Sequence, residues 1–581
     1  MKKISNYQPV YFFIILLLIG TCFNPLSVTQ TVNQNNEHLD DAQILFAPMY
    51  STTTYLIDKN GEINHTWSSI YAPGEAVYML EDNTILRTIK LAPSGSGAGG
   101  GVQKIDWDGN KIWDFSYYTS NYLSHHDIEP LPNGNVLMLA WEYKTREEAI
   151  ASGRDPYKLQ GNIIKPDHII EVEPTGPTSG DIVWEWHAWD HLIQDYYPTK
   201  DNYGVVEDHP ELIDINYGDT LSDWLHTNSI DYNEEFDQIL ISVRNFNEIW
   251  IIDHSTTTEE AAGHTGGNSG KGGDLLYRWG NPRAYGAGNT GDQKFFFQHD
   301  ASWIEQECPG EGNILVFNNG VNRPGSKYSS VDEIIPPVDS NGNYSLEPGS
   351  AYDPEEQVWI YAAENPQDFY SNYVGSAQRI SNGNTIICEG AKGKFFEVTY
   401  EKERIWEYIS PYPNQAFNDV FKIEYIQPEE EPPEEPDLDC VGNFKWKNVV
   451  PGKTIKGYFQ VKNIGGSDSL LNWKIGSYPT WGTWTFNPEY GENLTPESGG
   501  IYVEISIVTP NEQKKEFDGY IKVENQENPE DYDFIPVTIK TPVNKNFIYS
   551  AIFQFLLKLK QIFPLYEKIL LIFSYFINMY N

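Results

Sequence analysis

Two hairpin units alternate along residues 42–426, and this repeat constrains the fold more than any other feature. One unit is an apolar strand, a turn and a strand ending in an aromatic residue. It appears as YLIDKNGEINHTW (55–67), QKIDWDGNKIWDF (103–115), IIEVEPTGPTSGDIVWEW (169–186), IWIIDH through GDLLYRWG (249–280) and FFEVTYEKERIWEY (395–408). The other is a strand, an Asn/Gly/acid turn and an apolar strand. It appears as AVYMLEDNTILRT (76–88), DIEPLPNGNVLML (127–139), SIDYNEEFDQILIS (229–242), ASWIEQECPGEGNILVF (301–317) and AQRISNGNTIICE (377–389). Two hairpins make one four-stranded blade, and blades of this kind ring a central axis. The region holds six blades, one of them shared between its two ends. The recurring Trp113, Trp184 and Trp406 read as blade packing.

Composition agrees with an all-β class. Aromatic residues make up 14% of the 581, and short apolar runs are separated by Gly, Asn and Asp. No long soluble stretch keeps a 3.6-residue apolar period, so helices should be few. The formal net charge of −42 repels phosphate backbones and excludes nucleic acid as a partner. No D-x-[DN]-x-[DN]-G loop supplies a calcium site, and no Cys/His cluster has metal spacing.

The flanks divide the rest. Met1-Lys2-Lys3 followed by the apolar run 10–20 is an export signal, taken as residues 1–30. Thr21 fits a lipoprotein cleavage site poorly, so Cys22 leaves with the signal. Of the remaining cysteines, Cys308 and Cys388 are candidates for a bridge in an oxidising exterior. Asn64, Asn343 and Asn493 head glycosylation sequons, in keeping with a secreted glycoprotein or a cell-surface location. Residues 427–439 (QPEEEPPEEPDLD) form an extended, self-repelling linker. Residues 440–543 carry strand-like runs suited to a small Ig-like β-sandwich. The segment 546–581 is strongly apolar but broken by Lys558, Lys560, Pro564, Glu567 and Lys568. It reads as a membrane anchor with snorkelling lysines or as an interfacial segment; both attach the chain to a membrane.

Aligned by their turns, three consecutive copies of the second unit are preceded by His: His126, His226 and His299. Two others have Gly there, Gly74 and Gly375, so the fold does not demand His. Only a closed ring brings residues so distant in sequence together, at one mouth of the central channel. His125 beside His126 reads as structural. Arg244 stands where other copies carry Trp141, Asn319 and Gly390, and an Arg on an inner strand needs an anion. Asn228 lies two residues after His226 and points the same way along its strand. Three His alone would suit zinc or iron, but the neighbouring Arg repels a cation. The set fits an oxyanion better: Arg and protonated His stabilise the oxygens of a transferring group, and a neutral imidazole is a good covalent carrier.

The motifs H-D-I-x-P-L-x-N-G-x-x-L, then D-W-x-H-x-N-S-I with a downstream S-x-R, then Q-H, resemble the arylsulfate sulfotransferases that do not use phosphoadenosine phosphosulfate. The resemblance covers roughly residues 42–415, and Asp223–Asn245 and the His126 segment are its most specific parts. It implies a six-bladed propeller that moves a sulfuryl group from an aryl sulfate to a phenol through a sulfohistidine, with no cofactor. By the same resemblance His299 is the nucleophile, His226, Asn228 and Arg244 hold the sulfuryl oxygens, and His126 serves as acid or base toward the phenolic oxygen. The competing expectation is a non-catalytic surface propeller that binds a glycan or protein. A quinoprotein-like dehydrogenase would need a calcium carboxylate and a catalytic Asp beside a quinone.

Overall fold

The computed structural model describes residues 42–92, 97–218, 220–427, 435–467, 469–529 and 531–542. The export signal, the core of the linker and the apolar segment 546–581 lie outside them. Among the described residues, no helix is long and apolar enough to cross a membrane. The chain divides into two compact units, Met1–Pro428 and Glu429–Asn581.

The first unit is a β-propeller of six four-stranded blades. The first blade takes its innermost strand from the far end of the unit: Val420–Ile426 pairs with Gln43–Pro48, followed by Thr53–Asp58 and Ile63–Ser68. The second runs Pro73–Met79, Ile85–Lys90, Gly100–Ile105 and Lys111–Ser116. The third runs Tyr122–Pro130, Val136–Glu142, Asp167–Gly176 and Ser179–His187. The fourth, fifth and sixth begin at Thr227–Asn233, His299–Trp303 and Ser376–Arg379 and end at Tyr277–Trp279, Trp359–Tyr361 and Arg404–Ile409. Inner strands are apolar nearly throughout, as in Gln238–Val243 and Glu248–Asp253, because blades cover both of their faces. Outer strands alternate, as in Arg404–Ile409.

Two sets of side-chain bonds close the ring. On the outside, a Trp indole N–H of each blade donates to a carbonyl of the next. Trp67 bonds Asp106, Trp113 bonds Ser179 and Trp186 bonds Gly273; Trp279 bonds Pro354, Trp359 bonds Tyr400, and Trp406 returns to Lys59. Trp184 instead donates to Thr256 Oγ1 at 3.2 Å. On the inside, polar side chains accept from the innermost strand of the neighbouring blade. Ser229 Oγ takes the Ala301 N–H at 2.9 Å, Asp300 Oδ2 takes Ala377 at 2.9 Å, Ser376 Oγ takes Ile423 at 3.2 Å, and Glu424 Oε2 takes Met79 at 2.6 Å. Each pairs a backbone donor that has no strand partner on that side.

The second unit holds two sheets over one core. One contains Leu438–Val441, Thr454–Asn463, Ile501–Val508 and Thr483–Asn487. The other contains Phe444–Trp446, Tyr532–Lys540, Glu516–Asn525, Leu471–Ser477 and Tyr490–Leu494. Alternation is clean: Val503, Ile505 and Ile507 are buried against Phe459, Trp473 and Ile521, while Glu504 and Ser506 face outward. Its first strand begins at Leu438, inside the expected linker, because Leu438 is buried in this core.

Cys308 and Cys388 are free and buried, in different blades. Cys308 Sγ lies against the Arg379 carbonyl and Cys388 Sγ against that of Val420. The sequon residues Asn64, Asn343 and Asn493 are all exposed.

Candidate active site

The site forms where innermost strands of the third, fourth and fifth blades begin. His126 and His226 touch, with ring centroids 4.6 Å apart. The Phe421 ring, on the closing strand, packs near both His126 (6.0 Å) and His299 (6.4 Å). The three imidazoles are nearly buried, at 3%, 9% and 3% exposure for His126, His226 and His299.

They do not share one register, as the repeat alignment suggests. His299 is paired in its ladder with Phe317, His226 lies one residue ahead of the Thr227–Val243 pair, and His126 falls in the irregularity between Ser124 and Ile128. His126 and His226 adopt left-handed backbone (φ 51° and 55°), whereas in the fifth blade Phe297 and Asp300, flanking His299, do so. A bulge adds an unpaired residue and re-aims the side chain beside it, so three different offsets reach one place. Gly97 makes room for His126. Its φ is +73°, and a Cβ there would lie 2.1 Å from His126 Nε2.

Each ring has one nitrogen committed. His299 Nδ1 meets Asn319 Oδ1 at 2.7 Å. The Asn319 amide cannot flip, because Nδ2 donates to the carbonyls of Ser371 (2.9 Å) and Val374 (3.0 Å). Oδ1 is therefore an acceptor, Nδ1 carries the hydrogen, and the lone pair is on Nε2. Burial, with Arg244 nearby, drives the His299 pKa down to about 3, so the ring is neutral. His226 Nδ1 bonds Asp223 Oδ2 at 2.6 Å. Burial pushes that carboxyl up, but His226 outweighs it and holds Asp223 below its ordinary range. His126 Nδ1 meets His125 Nδ1 at 2.8 Å. His125 stacks on Trp141 at 4.2 Å and directs Nε2 toward Asp167, 3.3 Å away. Burial and the surrounding His and Arg charges lower the His126 pKa well below its ordinary value.

Arg244 lies just past the strand Gln238–Val243, over the Phe297 ring at 4.2 Å, with Nη1 donating to Asn245 Oδ1 at 2.9 Å. It forms no ion pair among the described residues, and burial lowers its pKa to about 10, still a cation. Asn228 is fully buried and donates to the Gln298 carbonyl at 2.8 Å, which ties the fourth blade to the peptide before His299. Its Oδ1 has no hydrogen-bond partner among the described residues. The site is a recess around the Arg244 cation, with Nε2 uncommitted on each of the three imidazoles, suited to an oxyanion.

The structure thus brings together His126, His226, His299, Arg244 and Asn228. It adds residues that sequence reasoning passed over. Asp223 stands three residues before His226 in the same D-W-x-H motif, and Asn319 occupies the position compared with Arg244. His125, taken as purely structural, touches His126. Lys422 had no local signal: it reaches Asp127 (3.5 Å) and Asp300 (3.0 Å), the residues directly after His126 and His299. A separate cluster has metal-ligand chemistry that the sequence did not suggest. The ligand atoms of His191, His264 and Asp274 all lie within 4.8 Å of one another, and both His Nδ1 atoms approach Asp274 Oδ1 at hydrogen-bond distance.

Residues 28–425 match the arylsulfotransferase (ASST) family. The chain belongs to that family. It is 24% identical over 344 residues to an arylsulfate sulfotransferase, AssT, of Escherichia coli O6:H1, covering 50% of this chain and 51% of the relative. It thus spans about half the length of that relative. Solved structures similar to it include a Bacteroides caccae protein of unknown function, at 13% identity and TM-score 0.37, covering 67% of this chain and 99% of that one. Virginiamycin B lyase from Staphylococcus aureus, with quinupristin, aligns at 9% identity and TM-score 0.31, covering 65% and 87%.

Proposed function

We propose that this arylsulfotransferase moves a sulfuryl group from an aryl sulfate to a phenol through a sulfated His299. The observation that carries the reading is the His299–Asn319 pair, which leaves a neutral ring with Nε2 bare inside a cationic recess. In the first half-reaction Nε2 attacks sulfur and the sulfur–aryl oxygen bond breaks. Arg244, Asn228 and a protonated His226, oriented by Asp223, hold the sulfuryl oxygens as charge shifts. The Nδ1–H bond to Asn319 supports the positive charge that the sulfated ring acquires.

In the second half-reaction a phenol oxygen attacks the same sulfur, and the bond to Nε2 breaks. Burial keeps His126 neutral, so its ring is unprotonated when the phenolic proton is to be taken. His126 then releases that proton to solvent, and the departing phenolate takes one from solvent, so protons balance over one cycle. His125 backs His126 through the Nδ1–Nδ1 contact. Export and membrane attachment belong to this reading too, supported by the charged and apolar N-terminal run and by segment 546–581.

The test is intact mass at short times after mixing with nitrophenyl sulfate. A gain of one sulfuryl group on a peptide containing His299 is expected, with ping-pong kinetics. His299→Ala should fold normally and lose transfer entirely. Full activity in that variant would sink the nucleophile assignment.

A further inference from the structure

The anion-holding wall continues outward into a groove of about 490 Å³, within the range of small-molecule sites. Phe297 connects the two: its ring supports Arg244 on one side and lines the groove on the other. Asn245, the hydrogen-bond partner of Arg244, lines it as well. Tyr217 and Phe296 add aromatic surface. Two cations, Lys158 and Arg283, complete the lining, and no carboxylate takes part. In a chain with 82 acidic and 40 basic residues, that selection is against composition.

The cations bond directly only to neutral groups, with Asp214 acting on Lys158 from beyond ion-pair distance. Lys158 Nζ donates to the Asn216 carbonyl, and Arg283 Nη2 reaches Tyr217 Oη at 3.3 Å. Neither forms an ion pair among the described residues. Both stand in short 3-10 turns, Pro156–Lys158 and Pro282–Tyr285, from separate parts of the chain. Arg283 is exposed, and Lys158, like Arg244, is half-buried. Aromatic side walls followed by unpaired cations suit a flat ring bearing an anion.

We infer that the groove selects aromatic substrates carrying a second anionic group, a carboxylate or a sulfate, besides the reacting oxygen. The inference rests on the sulfuryl-transfer reading, in which donor and acceptor phenols occupy this groove in turn. The selection therefore applies to both half-reactions. Lys158 and Arg283 act on the substituent, away from the sulfur, and set specificity while the His site performs the chemistry.

The experiment compares two acceptors with the full chain and nitrophenyl sulfate as donor: para-hydroxyphenylpropanoate and its primary amide. Two methylenes insulate the phenol, so reactivity is matched and only the remote charge differs. The acid is expected to show about tenfold higher kcat/KM at low salt, with the advantage shrinking as salt rises. The double variant Lys158→Gln, Arg283→Gln should bring the acid down to the amide and leave the amide unchanged. Equal acceptors in the unaltered protein, or a preference that persists in the double variant, overturn the inference. Sulfation of His299 with equal acceptors overturns the groove alone; absence of any sulfated His299 overturns the reaction class beneath it.

Discussion

His299 keeps one ring nitrogen unbonded because Asn319 has no freedom to turn. Two backbone carbonyls hold its amide, so the tautomer of His299 is set by bonds that never touch substrate. Asn319→Leu removes the acceptor and leaves those carbonyls unpaired. We expect kcat/KM to fall about 10²-fold, the usual consequence of a misplaced nucleophile. Imidazole nitrogen NMR should show a single Nδ1–H form of His299 in the unaltered protein and a mixture in the variant. An unchanged spectrum would remove Asn319 from the mechanism. At this scale much was legible. His126, His226 and His299 stood out because other copies of the repeat carry Gly, and Arg244 because an inner-strand cation needs an anion. Their partners were less so. Asp223 lay in plain view as D-x-x-H, whereas the pairing of Asn319 with His299 depends on how two strands of the fifth blade register.

Blades are held by their outer tryptophans. Trp279 is 4% exposed, packs on Phe295 at 4.9 Å and donates its indole N–H to the Pro354 carbonyl at 2.7 Å. Trp279→Ala should cost about 3–5 kcal/mol in urea unfolding, from the lost ring and the cavity left behind. Trp279→Phe keeps most of the ring and should cost about 1 kcal/mol more than an ideal packing change, the worth of one hydrogen bond. Equal losses would mean that the ring packing carries nothing and the carbonyl contact carries the whole effect. The hairpin alternation announced most of these elements, because a half-buried strand must repeat every second residue. The outer hairpin of the fifth blade escaped notice. Its strands Ser330–Ile334 and Trp359–Tyr361 are separated by a long connection, so no local turn marks them as a pair. The bulges that aim the three His were equally hidden, since an extra unpaired residue has no fixed composition.

Across the whole molecule, the inner strands carry acids into the centre of the ring. Glu129, Asp231 and Glu424 come from three blades and sit around the half-buried Lys422. Burial pushes Glu424 up from 4.5 to about 8 and Asp231 up to about 7. A carboxyl raised on folding contributes stability below its unfolded value that is lost as pH rises through the folded one. For Glu424 that window runs from about 4.5 to 8. Glu424→Gln can still accept from the Met79 N–H while carrying no charge. Its stability should fall less between pH 5 and pH 8 than that of the unaltered protein, read as the urea midpoint at each pH. Parallel midpoints would refute the assignment. The sequence by itself determined the all-β class, the six blades, their closure by the two ends of the first unit, and the residue types of the site. Those follow from periodicity and from residues that break a repeat, both of which are local properties. Only the tertiary structure decided which nitrogen of His299 is free, that Lys422 links the residues beside His126 and His299, and that Lys158 and Arg283 share a groove. These depend on distances between segments far apart in the chain, and ring closure sets such distances without leaving any mark in the order of the residues.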